Sequence, residues 1–156
     1  MLRANRKLTL KMAKGNFVIV ASTYNARYVD AMLRAAKAHL SRAKVTVKII
    51  RVPGAFEIPV VAAKLAQSSS AKLSGIICLG VILRGATTHA QHIGEAVSDA
   101  LMQIQIQTGV PVIHEVLLLE NEDQAKARCL SKTHNRGTEA AQTAIAMARV
   151  MISLPE

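Results

Sequence analysis

The sequence predicts an α/β domain in which a four-stranded parallel sheet is covered by helices on both faces, a three-layer sandwich. Short apolar runs of strand length alternate with longer segments in helical rhythm, the pattern of repeated strand–helix units. The run "GIICLGVIL" (75–83) lacks polar alternation, so both faces of the sheet are expected to be covered there. At 156 residues, 51% of them hydrophobic, the chain suffices for one domain with a proper core.

Each element has its own justification. "NFVIVAS" (16–22) is a continuous apolar run bounded by polar residues. In "ARYVDAMLRAAKAHLSRA" (26–43), Val29, Leu33, Ala36 and Leu40 recur at helical spacing. "KVTVKIIRV" (44–52) is the second strand, ended by Pro53 and Gly54. "IPVVAAKLAQSSS" (58–70) is a helix with Pro59 in its first turn, where the missing N–H has no helical partner to lose. After the third strand (75–83), "HIGEAVSDALMQIQIQTG" (92–109) is a helix closed by Gly109. "VPVIHEVLLL" (110–119) is the fourth strand. "NEDQAKARCL" (121–130) is a short helix with acidic residues in its first turn, and "GTEAAQTAIAMARVMI" (137–152) the last helix. The domain spans 16–156. Residues 1–15 form a basic N-terminal arm, since Arg3, Arg6, Lys7, Lys11 and Lys14 all precede the first acidic residue, Asp30.

Composition excludes several classes. No apolar stretch approaches the roughly 20 residues that cross a bilayer, and the first residues lack the apolar block of a signal peptide, so a soluble cytoplasmic protein is expected. Cys78 and Cys129 lie in apolar and helical runs with no disulfide or Cys-x-x-Cys spacing, which reads as buried thiols. The net charge of +10 is compatible with nucleic acid, an acidic surface or phosphorylated small molecules. With two Phe, two Tyr and no Trp, the chain lacks stacking platforms for bases, and a solvated basic face is the simpler reading.

In a parallel sheet, ligands bind at the carboxyl ends of the strands, near the switch in strand order. The loops on that rim are "STYN", "VPGAFE", "RGATTH" and "LLEN". In "RGATTH", Gly85 and Ala86 leave backbone amides accessible just before a helix, and Thr87 and Thr88 add hydroxyls; the same residues also suit an ordinary helix cap. His89 is either a proton-transfer group or an unremarkable helix-start residue. His89 and His92 are three apart, with no further ligand placed to make a zinc site, so no metal is expected. Glu57 offers a carboxylate to a ligand or to the helix dipole, Tyr24 a ring for stacking or for rim packing, and Arg128 a phosphate clamp or a solvated charge.

Taken in order, "VPGAFEIP", "LGVILRGATTH", "TGVPVI" and "EDQAKARCLSKTHNRGTEAA" resemble the lumazine synthases, which catalyse the penultimate step of riboflavin biosynthesis. The resemblance runs from about residue 16 to residue 151 and implies a flavodoxin-like sandwich. It implies a transferase that condenses 5-amino-6-(D-ribitylamino)uracil with 3,4-dihydroxy-2-butanone 4-phosphate, giving 6,7-dimethyl-8-ribityllumazine and phosphate without a metal or organic cofactor. By the same resemblance, Tyr24 stacks on the pyrimidine, Ala55, Phe56 and Glu57 hold the ribityl chain, and Val81, Ile82 and Leu83 meet the pyrimidine through their backbone. Gly85, Ala86 and Thr87 form the phosphate cradle, Arg128 is its clamp, His89 transfers protons, and His114 closes the pyrimidine end from the fourth strand. The sequence departs from the family pattern at Ala90 and Gln91, where an aromatic–acidic pair is usual, and at His114, where Phe is common.

The resemblance also implies a homopentamer with active sites between subunits, His89 and Arg128 facing Tyr24 and Glu57 across the interface, and leaves a sixty-subunit shell open. No membrane or nucleic-acid partner is expected. Two other readings stand beside the enzyme: a non-catalytic lumazine- or flavin-binding paralogue with the same pocket, and a flavodoxin-like or nucleic-acid-binding module.

Overall fold

A computed structural model of the chain describes residues 15–68 and 72–155, so the basic arm, apart from Gly15, lies outside the described residues. The elements alternate as expected: β1 (Asn16–Ser22), α1 (Ala26–Arg42), β2 (Thr46–Val52), a 3₁₀ turn (Ala55–Glu57), α2 (Ile58–Gln67), β3 (Gly75–Leu83), α3 (His89–Thr108), β4 (Val112–Leu119), α4 (Glu122–Cys129) and α5 (Arg136–Ser153). The strands form one sheet in the order β2-β1-β3-β4, every neighbouring pair parallel. The chain moves outward from β1 to β2 and then crosses back to β3, so the switch in strand order falls between the carboxyl ends of β1 and β3.

The period-two alternation of strand side chains divides the core into two layers. Phe17, Ile19, Ala21, Ile77, Leu79, Val81 and Ile113 point to one face and pack beneath α1, α4 and α5. Val18, Val20, Ile76, Cys78, Ile82, Val112 and Val116 point to the other, beneath α2 and α3. This explains why β1 and β3 read as unbroken apolar runs: they are the two inner strands, and both of their faces are covered. Cys78 and Cys129 are buried free thiols, and desolvation pushes the Cys78 thiol up to about 12.

The most extensive helix–helix contact is between α1 and α5. Gly137 lies in the first turn of α5, where an added Cβ would fall on the backbone of Met32, 2.6 Å from its carbonyl carbon. Ala140, Ala141, Ala144 and Ala148 continue the same buried face. Asn135 fixes the start of α5 from both sides: its Oδ1 accepts from Gly137 N at 2.7 Å, and its Nδ2 donates to Cys129 O at 2.7 Å.

Most boundaries differ from the sequence reading by a residue or two, but α3 begins at His89, three residues before the predicted start. β4 is an edge strand. Two of its backbone N–H groups are satisfied by side chains: Val112 N donates to Gln105 Oε1 at 2.9 Å, and Val116 N to His114 Nδ1 at 3.1 Å. Because Nδ1 accepts, the ring proton sits on Nε2, which donates to Ser98 Oγ at 2.8 Å. The His114 ring retains solvent contact, yet both nitrogens turn onto protein, and this desolvation lowers its pKa from the usual histidine value. No helix among the described residues is long and apolar enough to cross a membrane.

Candidate active site

The rim loops after β1, β2 and β3 meet at the switch point. The turn after β1 is tied to the loop after β2 by Thr23 N donating to Val52 O (2.8 Å) and Tyr24 N donating to Pro53 O (2.9 Å). It is tied to β3 by Asn25, whose Nδ2 donates to Val81 O at 2.7 Å. Asn25 adopts a left-handed backbone conformation (φ 57°), which Asn tolerates better than most residues and which turns the chain sharply into α1.

A cavity of about 930 Å³ opens between these loops and the start of α3. Its wall contains Tyr24, Ala55, Phe56, Glu57, Val81, Ile82, Leu83, Gly85, Thr87 and His89, ten of the residues named from the sequence. Tyr24 is 73% exposed and Phe56 63% exposed, so neither ring is used to pack the rim. Two solvent-facing aromatic rings beside an apolar strand end are suited to a planar organic ligand.

The polar groups are distributed around this apolar centre. Glu57 Oε2 accepts from Gly54 N at 3.0 Å, which fixes the carboxylate at the cavity wall while leaving acceptor capacity for a ligand. At the other end, α3 starts without a side-chain cap from Thr88, and Thr87 Oγ1 accepts from His89 N only at 3.4 Å. The first turn of a 20-residue helix, its amides meeting little side-chain competition, therefore lies at the cavity wall, an arrangement that favours an anion. Arg84 is held elsewhere, its Nε donating to Glu120 at 3.1 Å.

Three predicted residues are not brought to the cavity wall within one chain. Ala86 sits in the same loop but is not part of the lining. Arg128 is exposed on α4, which packs on the α1 and α5 face of the sheet, opposite the cavity. His114 lies on edge strand β4 against Ser98. The expectation that His89 faces Tyr24 and Glu57 across a subunit interface is corrected: all three line one cavity in one chain, because α3 packs beside the 3₁₀ turn on the same face.

The sequence reading left out Asn25 and weighed His92 only as a metal ligand, yet both line the cavity. His92 is one helical turn from His89, so the three-residue spacing that argued against zinc does place both imidazoles on one helix face. Asn25 gave a weaker signal, an Asn just ahead of a helix. Among the described residues, no cluster of three or more His, Cys, Asp or Glu side chains is placed to hold a metal.

The comparisons with known proteins agree with this architecture. A family model described as 6,7-dimethyl-8-ribityllumazine synthase matches residues 14–152. The protein of that name from Xanthomonas campestris pv. campestris (strain B100) is 38% identical over 149 residues, 94% of this chain and 96% of that protein. The one from Xanthomonas oryzae pv. oryzae (strain PXO99A) is likewise 38% identical over 149 residues. That of Stenotrophomonas maltophilia (strain R551-3) is 37% identical over 142 residues, covering 89% of this chain and 90% of that protein. With a match of this extent, and with the rim loops after β1, β2 and β3 folded around one cavity, the chain belongs to the 6,7-dimethyl-8-ribityllumazine synthase family.

Proposed function

We propose that this chain condenses 5-amino-6-(D-ribitylamino)uracil with 3,4-dihydroxy-2-butanone 4-phosphate, giving 6,7-dimethyl-8-ribityllumazine and releasing phosphate and water. The observation that carries the proposal is the polarity of the cavity at the strand switch: exposed rings and a carboxylate at one end, uncapped helix amides, a hydroxyl and an imidazole at the other. Tyr24 stacks on the pyrimidine, and the backbone of Val81, Ile82 and Leu83 meets its edge. Ala55, Phe56 and Glu57 hold the ribityl chain, with Glu57 accepting from its hydroxyls. Gly85, Ala86 and Thr87 cradle the phosphate at the start of α3.

Amine attack on a ketone and expulsion of phosphate both require protons to be moved, and His89 moves them; its position on the cavity wall with Gly85 and Thr87 supports this reading. The chemistry needs no metal or organic cofactor in this reading. Arg128 and His114, on the other sides of the same chain, act in the cavity of a neighbouring subunit, and the functional unit is the homopentamer that the family resemblance implies, in the cytoplasm. Mixing the purified protein with both substrates and following lumazine fluorescence tests the reaction. Absence of product would favour a ligand-binding paralogue.

Arg128 supplies a sharper expectation. If its guanidinium clamps phosphate from the neighbouring subunit, Arg128→Ala raises KM for the butanone phosphate about 10- to 100-fold while KM for the pyrimidine changes little. Equal effects on both substrates, or a monomer by sedimentation at micromolar concentration, would remove Arg128 from the site.

A further inference from the structure

Arg51 is the next-to-last residue of β2 and lies in register with Ala21 of β1. Its side chain folds back over the end of β1. Nε donates to Ala21 O at 3.2 Å, and Nη2 donates to Ser22 O at 2.9 Å and to Asp30 Oδ1 at 2.7 Å. Asp30 stands in the second turn of α1, so one guanidinium joins β2, the last carbonyls of β1 and the helix that follows. The backbone between those last two anchors is the turn 23–25, which carries Tyr24 and Asn25 into the cavity wall.

Thr23 and Tyr24 are bonded to the same neighbour, while Asn25 Nδ2 donates to Val81 O on β3. Thr23 N donates to Val52 O and Pro53 O, Thr23 Oγ1 donates to Pro53 O, and Tyr24 N donates to Pro53 O. Tyr24 is 73% exposed, so its backbone, more than side-chain packing, sets where the ring stands. A planar fork of donors can reach successive carbonyls and a carboxylate together; the single ammonium of lysine has no such fixed spread.

We propose that Arg51 is a positioning residue, holding the 22–25 turn so that Tyr24 stands over the cavity ready to stack on the pyrimidine. The inference rests on the reading of Tyr24 given above. It assigns to Arg51 no contact with substrate; its action runs through the backbone of the turn.

Steady-state kinetics with both substrates, and binding of 6,7-dimethyl-8-ribityllumazine read from its own fluorescence, test this on wild type, Arg51→Ala, Arg51→Lys, Tyr24→Ala and the double variants. Arg51→Ala is expected to raise KM for the pyrimidine about tenfold, with kcat and KM for the butanone phosphate nearly unchanged. Arg51→Lys, which keeps a charge for Asp30 without the fork, is expected to fall between wild type and Arg51→Ala. In a Tyr24→Ala background neither change adds a further effect, because what Arg51 positions has been removed.

An equal rise in KM in both backgrounds would overturn the positioning role, as would a parallel loss in kcat and both KM values. Should Arg51→Ala not fold, the same comparison is made with Arg51→Lys. If wild type binds lumazine and turns over while both Arg51 variants match it, the positioning role alone fails. If wild type neither binds nor turns over, the reading of the cavity fails and this inference with it.

Discussion

Gly137→Ala is expected to destabilise the protein by about 3 kcal/mol or more, the upper part of the range for inserting atoms into a packed interior. For a domain of this size that lowers Tm by about 10 °C. The added methyl would overlap the main chain of Met32, and a backbone segment inside α1 cannot swing aside as a side-chain tip can. Relief would require α1 and α5 to separate, breaking the contacts of Ala140, Ala141 and Ala144 beneath them. Gly94→Ala is the matched control, since its Cβ would meet Leu118 at an ordinary 3.4 Å and alanine is the better helix former. Thermal melts of the two variants decide the matter: similar Tm values would show that the α1–α5 contact yields easily.

His89→Ala should lower kcat about 10²-fold, near the lower end of what a positioned acid–base group supplies. The variant should still bind the pyrimidine, because Tyr24, Glu57 and the strand end proposed to hold it are untouched. Loss confined to kcat, with lumazine binding retained, separates proton transfer from a role in ligand binding. A variant with wild-type kcat would leave the proton transfer to another group; His92, on the same wall, is the nearest substitute.

The layers of the fold were legible because β1 and β3 are covered on both faces, and continuous apolar runs such as "GIICLGVIL" record that directly. The start of α3 was less so. Thr87 and Thr88 offer the polar punctuation of a cap, but the apolar rhythm that marks a helix begins only at Ile93, and Thr88 makes no side-chain cap bond in the structure. Tyr24, Glu57 and His89 could be placed on one rim because each directly follows a strand or precedes a helix. Asn25 could not, because its part depends on a left-handed turn and a bond to Val81 O, which are properties of backbone shape. Arg128 and His114 belong to later elements that fold onto another face and an outer edge of the sheet, a separation set by the strand order.

The hydrogen bond from Val116 N to His114 Nδ1 has a bearing on how the protein behaves in acid. An outermost strand with unused amides is a template on which another chain can add, and here two of those amides are already satisfied by Gln105 and His114. The His114 bond requires the neutral ring. Because its folded pKa lies below the ordinary histidine value, the contribution is complete above that ordinary value and is lost as pH falls through the lower, folded one. Acidification would then release the Val116 amide and leave this margin of the sheet adhesive, so light scattering should rise on the acid side of the histidine range. A flat profile would mean that the margin is guarded by something other than His114. At neutral pH, the imidazole keeps the Val116 amide on this margin occupied.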